Sequence, residues 1–127
     1  MKDIVDFHSH ILPGIDDGSA SLEESIALLK MEAKQGIRHV VATPHFYPRY
    51  DDPEQFFIRR QEAEYLLRRE MEIHPGLPEL TVGAEVHFFP GMSHSDILSG
   101  LTIGGKECIL IEMPGAPGQK VCTGNWL

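Results

Sequence analysis

In DFHSHILPGIDDG, residues 6–18, His8 and His10 stand two positions apart at the end of a short apolar run, with Asp16 and Asp17 just downstream. Residues i and i+2 of a strand share a face, so the two imidazoles can chelate one ion. A buried imidazole needs a partner for each ring nitrogen, and packing alone gives no reason to set two of them side by side. Similar residues recur at the ends of later apolar runs. His45 closes IRHVVATPH, Glu85 lies inside ELTVGAEVHFFP, and Glu112 ends the run in ECILIEMP. Imidazole nitrogens mixed with carboxylate oxygens suit divalent Mn, Fe or Zn, and suit Mg less well because of the histidines. Singly, each residue has a plainer explanation. His45 reads as a loop residue after Thr43-Pro44, Asp16-Asp17-Gly18 as a turn before a helix, and Glu85 and Glu112 as solvated charges. Their joint placement at strand ends behind a His-X-His is what points to a polynuclear metal site.

The elements that would position these residues alternate between strand and helix. DIVDFH reads as a strand with its functional end at His8. The next segment reads as a helix, with Ser19 or Ser21 as its cap and Glu23 and Glu24 in its first turn. Leu22, Ile26, Leu29 and Ala33 form its apolar stripe, and Gly36 its C′ residue. A β-branched run ends at His45, a longer helix spans about Pro53 to Ile73, and two further strands contain Glu85 and end at Glu112. This order predicts an α/β fold in which parallel strands are joined by helices. In such folds the C-terminal strand ends form one face, where active sites sit. The last residues, PGAPGQKVCTGNWL, lack hydrophobic periodicity. A sheet ending at Pro114 would leave a bare edge, which predicts self-association.

Composition narrows the classes. Eleven basic residues against nineteen acidic ones give a net charge of −8, which argues against a nucleic-acid groove. No apolar run reaches the ~18 residues of a membrane span, and Met-Lys-Asp opens into a strand rather than a signal peptide, so a cytoplasmic location without membrane insertion is expected. Cys108 and Cys122 are too few for a disulfide framework and are expected to be reduced thiols.

His-X-His after a first strand also occurs in amidohydrolase-type barrels, which leaves the hydrolase subclass open on that signal. The longer run DFHSHILPGIDDGSASLEESIALLKMEAKQGIRHVVATPH, followed by GAEVHF and ILIEMP, resembles the PHP (polymerase and histidinol phosphatase) superfamily. Within it, the chain is similar to the bacterial metal-dependent protein-tyrosine phosphatases of capsule and exopolysaccharide systems. The resemblance covers residues 3 to about 117 and only the N-terminal half of such a protein. It implies a partial PHP domain over 1–117 with an atypical tail at 118–127, and a fold that is the N-terminal half of a distorted (β/α)7 TIM-like barrel.

The resemblance further implies up to three divalent ions, commonly manganese, with iron or zinc as alternatives. Carried over by position, His8 and His10 match ligands of one ion, and Glu85 the carboxylate bridging it to a second. Glu112 matches a ligand of the second ion, and Asp17 and His45 match ligands of the third. Glu85, His45 and Arg49 are the candidate catalytic residues, Arg49 as a rim contact for phosphate. The implied chemistry is phosphomonoester hydrolysis by a metal-bridged hydroxide, without a phosphoenzyme. Neither cysteine sits in a His-Cys-X5-Arg loop. The implied partner is a tyrosine-phosphorylated protein, above all a bacterial tyrosine kinase. The family's second half supplies a further histidine, an Asp-X-His and phosphate-binding arginines that are not found here. A truncated enzyme of reduced or no activity is therefore expected. The alternatives are a non-catalytic metal-binding or kinase-docking fragment, or a small-molecule phosphatase of the histidinol-phosphate type. His87, two residues beyond Glu85, reads as a core or rim histidine, with alternation leaving it on the same face as Glu85.

Overall fold

The computed structural model describes residues 4–113 and the backbone of a strand at 120–124. Its strands are β1 (Ile4–Ser9), β2 (Ile37–Ala42), β3 (His45–Phe46), β4 (Glu79–Val82), β5 (Glu85–His87), β6 (Cys108–Glu112) and β7 (Lys120–Gly124). The helices are α1 (Leu22–Lys34), α2 (Pro53–Met71) and the short α3 (Leu98–Leu101), with single 3₁₀ turns at Met92–His94 and Ile103–Gly105.

Local chemistry sets the helix boundaries. Ser21 is the cap of α1, its hydroxyl accepting from Glu24 N at 3.1 Å. Ser19, the other candidate, is buried and bonds the Ser25 hydroxyl at 2.6 Å instead. Gly36 leaves the helix at φ +89°, a conformation open to a residue without Cβ. In α2, Asp52 accepts from Gln55 N and Pro53 occupies the first turn, where a missing N–H costs nothing.

The strands form two sheets, ordered β1-β2-β4 and β3-β5-β6-β7, parallel throughout except for β6 with β7. The second and third strand runs of the sequence each cross from one sheet to the other. Thr43-Pro44 interrupts the first, because proline offers no N–H to a ladder, and Gly83-Ala84 interrupts the other. Hydrogen bonds nevertheless carry the pairing across both breaks: Gly83 N donates to Ala42 O and Glu85 N to Pro44 O, both at 2.8 Å. His45 and Glu85 therefore stand at the start of the second sheet rather than inside longer strands.

Among the described residues two larger cores and a small one of Val41, Ile103 and Cys108 hold the sheets. Ile26 and Leu29 of α1 and Ala63 and Leu67 of α2 pack on Val40, Ala42 and Leu80. Phe46, Phe56, Ala84, Val86, Met92, Leu101 and Ile109 form the second core. α2 also grips β4 through polar contacts. Arg68 Nη2 donates to Leu80 O and Arg60 Nη1 to Gly83 O, each at 3.0 Å.

Two expectations are corrected. The edge of β6 is covered: β7 pairs antiparallel along all of it, from Glu112↔Lys120 to Cys108↔Gly124. Strand formation there comes from the partner strand rather than from any alternation in the tail. Cys108 is disulfide-bonded rather than a reduced thiol; β7, which carries the chain's other cysteine, lies alongside it. The expected boundary between residues 117 and 118 lies outside the described residues.

Glu32 of α1 gives a pH-dependent term in the fold. Burial, then a hydrogen bond with Asp6 of β1, raise its carboxyl to about 7. A carboxyl raised above its unfolded value binds its proton more tightly in the folded state. Its contribution is therefore full at acidic pH and is lost as pH rises towards 7. Glu32→Gln is expected to melt higher than the parent at pH 8 and at about the same temperature near pH 4.5. Thermal unfolding at the two pH values checks this; an equal shift at both would contradict it.

Candidate metal centre

Glu85 is the hub. Its side chain has no exposed surface, and Oε1 lies 3.0 Å from His8 Nε2, 3.1 Å from His10 Nε2 and 3.3 Å from His45 Nδ1. The register explains this convergence, since His45 pairs directly with Glu85 across β3 and β5. The β1 end brings in the other two histidines, because Thr43 N donates to Ser9 O at 2.7 Å and ties β1 to the β2 end. His10 stacks on His45, with ring centroids 4.4 Å apart, and meets His8 edge-on at 5.0 Å.

Asp16 forms the second anchor. Its Oδ2 lies 3.0 Å from His10 Nδ1 and accepts from His45 N at 3.0 Å, while Oδ1 accepts from Gly18 N at 2.9 Å. The loop that carries it is fixed from below. Ser19 N donates to His10 O, and the buried Ser25 hydroxyl donates to Ile11 O. Gly18 is required here for space: a Cβ would stand 2.3 Å from His10 Cβ and 2.4 Å from His10 O. Gly18→Ala is expected to push His10 out of place, costing about 1–3 kcal/mol as overpacking does and weakening manganese binding by about 10–100-fold. Thermal melting and a manganese titration measure both, and an unchanged titration would show that the loop does not set His10.

Among the described residues three groups of donors arise, each with its atoms within 4.8 Å of one another: His8, His10 and Glu85; His10, Asp16 and His45; and His45, Glu85 and Glu112. The donor set fits divalent metal chemistry. Ligands at ~2.0–2.2 Å from an ion stand roughly 3.0–3.5 Å apart, which is the spacing of the three histidines from Glu85. His45 Nδ1 is also buried without a hydrogen bond.

The electrostatics follow from the same contacts. Hydrogen bonds to Asp16 and then Glu85 outweigh burial and raise His10 to about 9. Burial would raise Asp16, but hydrogen bonds from His10, Gly18 N and His45 N hold it below the usual carboxylate value. Burial, followed by Glu112, Asp17, Glu85 and Asp16, raises Tyr47, so its phenol stays protonated.

Of the residues expected from sequence, the structure brings His8, His10, His45, Glu85 and Glu112 into these groups. Asp17 lies outside them; its side chain is 85% exposed, with Oδ1 3.6 Å from His45 Nε2. Asp16 occupies the inner place. Arg49 is exposed in the loop between β3 and α2, whereas Arg59 of α2 lines a cavity of about 360 Å³ with Asp16, Asp17, His45 and Tyr47. Tyr47 stacks on His45 at 5.2 Å. Sequence reasoning missed Asp16, Tyr47 and Arg59. The signal for Asp16 was the Asp-X-Gly turn it closes, and for Arg59 the phase of α2 counted from the Asp52 cap.

Residues 4–122 match the family described as capsular polysaccharide synthesis, CpsB/CapC. The tyrosine-protein phosphatase YwqE of Bacillus subtilis is 31% identical over 116 residues, and CapC of Staphylococcus aureus 34% identical over 117. Each alignment takes in 87% of this chain, which spans 43% of the length of either relative. A solved structure from work on Bacillus subtilis YwqE and Streptococcus pneumoniae CpsB, described as unique metal-dependent tyrosine phosphatases, superposes with a TM-score of 0.74 at 26% identity. That match covers 91% of this chain and 47% of the other. With a family match across nearly its whole length and a fold similar to the matched 47% of that solved chain, the chain belongs to the CpsB/CapC family of capsular polysaccharide synthesis.

Proposed function

We propose that this chain provides the metal-binding part of a phosphotyrosine-protein phosphatase, with manganese as the preferred ion and iron or zinc as alternatives. The observation that carries the reading is the buried Glu85 carboxylate held among three imidazoles, in a chain whose relatives are named tyrosine-protein phosphatases. His8, His10, Glu85, His45 and Glu112 would be ligands, with Asp16 as the inner aspartate and Asp17 as a neighbour of His45. Bound divalent ions would supply a water of lowered pKa and neutralise charge on a phosphoryl group in transfer. The chain's own residues would do the rest. Glu85 would fix the spacing of the histidines from a fully buried position at the base of the site, and Asp16 would orient His10 and the His45 backbone.

The cavity beside His45 would take the aryl ring, its Asp16, Asp17 and Asp51 carboxylates admitting the phosphate once divalent ions are bound. Tyr47 offers an aromatic face, and Arg59, whose Nη2 lies 3.6 Å from Asp51 Oδ1, a guanidinium that a phosphate would share with that carboxylate. Arg59→Ala is expected to raise KM for a phosphotyrosine peptide by about 10-fold, as the loss of one charge-assisted contact does, with kcat changed less. Arg49→Ala is expected to do so only if the β3–α2 loop folds over the site.

Activity of this span would be low relative to a full-length relative, since it matches 43% of their length; we read its two sheets as half of a distorted (β/α)7 barrel. We place it in the cytoplasm, acting on a phosphorylated tyrosine kinase. No described helix is long and apolar enough to cross a membrane. Exposed Ile4, Val5 and Phe7 on β1, which pairs with β2 alone among the described strands, support self-association. The deciding assay compares phosphotyrosine peptide with histidinol phosphate, with manganese and with chelator. Manganese-dependent hydrolysis of the peptide supports this reading, preference for histidinol phosphate transfers the site to small molecules, and metal binding without hydrolysis of either favours a docking fragment.

A further inference from the structure

We propose that the cleft between α2 and residues 99–105 is an oxyanion site, in which the Arg60 guanidinium binds a phosphate-type anion. The cleft shares no residue with the metal-donor groups, so the proposal stands or falls independently of the metal-binding reading.

Arg60 is the origin of the site. Alone among the described arginines and lysines it is not exposed. Its Nη1 donates to Gly83 O at 3.0 Å, its one hydrogen bond among the described residues. The rings of Phe56 and Phe57 lie 5.4 and 5.3 Å from its Cζ. A guanidinium has five N–H donors, so four are left over. Burial holds its pKa below the usual guanidinium value, with the nearby Glu64 acting the other way. Glu64 is nevertheless engaged elsewhere, since its Oε2 accepts from Arg68 Nε at 2.8 Å. A partly desolvated charge is costly unless it is paired, and an anion in the cleft would pair it.

The facing wall is built close to this guanidinium. Gly83, whose carbonyl Arg60 bonds, abuts Ile103: a Cβ there would stand 2.9 Å from Ile103 Cγ1. Gly100 abuts Phe57 in the same way, with a Cβ 2.6 Å from the ring. These two contacts bring the 99–105 segment against the Arg60 end of the cleft, a cavity of about 360 Å³. Ser99 and Thr102 line it with hydroxyls. Gly104 and Gly105, which also line it, are consecutive left-handed residues at φ +62° and +72°, and successive amides in such a turn can converge on an anion.

The ligand class follows from these donors. Glu64 and Arg68 also line the cleft, but they neutralise each other, so Arg60 sets its sign. Donors on two facing walls suit a tetrahedral oxyanion, whose oxygens point in four directions, better than a planar carboxylate. Phosphate or a phosphomonoester fits that description.

The test titrates the metal-stripped chain with inorganic phosphate, in the presence of chelator and at constant ionic strength. ¹⁵N NMR follows the arginine Nε–H groups and the backbone amides. Saturable movement of the Arg60 Nε–H and of the amides of residues 99–105 supports the proposal. So does an affinity lower by on the order of 10-fold in Arg60→Gln, the loss expected of one charge-assisted contact. An Arg60→Gln titration identical to the parent's overturns it, as does equal movement when chloride replaces phosphate. Because Arg60→Gln also disturbs the Gly83 carbonyl, Ser99→Glu is measured beside it. Ser99 is exposed, and a carboxylate placed there would compete for the guanidinium. Weakened phosphate binding in Ser99→Glu supports the site even where Arg60→Gln does not fold, and unchanged binding in folded Ser99→Glu overturns it. Phenyl phosphate, titrated in the same way, separates the sources: equal affinity supports a site for free phosphate, and tighter binding supports one for a phosphomonoester.

Discussion

Glu85→Gln is expected to weaken manganese binding by at least about 100-fold and to remove phosphatase activity from any form of the protein that has it. Even residues that only orient ligands cost about 10–100-fold when changed, and Glu85 is placed to be a ligand in two donor groups at once. Glutamine keeps the shape but presents a neutral oxygen and an N–H₂ among three ring nitrogens that now approach an acceptor. One change therefore removes the anionic oxygen common to two ions and introduces a donor where donors already crowd. Without metal, the same variant should lower the His10 pKa, because Glu85 is the second of the two hydrogen-bonding carboxylates that raise it. Isothermal titration with Mn²⁺ and an NMR pH titration of His10 measure the two effects. Undiminished manganese affinity in Glu85→Gln would remove Glu85 from the centre of the site.

Phe46→Ala is expected to cost about 3–5 kcal/mol, the range for emptying a buried aromatic position. Against a total stability of ~5–15 kcal/mol, that lowers the melting temperature on the order of 10–20 °C. Phe46 has no exposed surface and meets Phe56, equally buried, edge-to-face at 5.0 Å. The consequence reaches the site because β3 is only two residues long. Phe46 points into the second core, so His45 must point to the opposite face, towards Glu85 and Asp16. Phe46→Ala should thus lose both stability and metal affinity, whereas Phe46→Leu, which refills most of the volume, should lose less of each. Denaturant melts and manganese titrations of the two variants check this. Full metal affinity in a destabilised Phe46→Ala would show that something other than the core aims His45.

Much of this arrangement was legible in the sequence where local rules decide it. The Leu22, Ile26, Leu29 stripe and Ser21 wrote α1, and Asp52-Pro53 opened α2, because caps and helical periods act within a few residues. His8, His10, His45 and Glu112 stand at or beside the ends of apolar runs and Glu85 inside one, which is what marked them as candidates in the sequence. What the sequence hid depends on contacts between distant segments. β7 has no strand pattern of its own and forms against β6. Asp16 and Asp17 are chemically identical neighbours, and only the turn in which Asp16 accepts from Gly18 N decides which one faces His10. Arg59 outranks Arg49 at the cavity because α2 projects it there across the loop.

The most direct test of the central claim is anomalous diffraction at the manganese edge from crystals of this chain soaked in Mn²⁺. The account predicts peaks among His8, His10 and Glu85 and among His45, Glu85 and Glu112, within about 2.0–2.3 Å of their nitrogen and oxygen donors. Peaks elsewhere on the surface, or none at Glu85 under saturating metal, would contradict it.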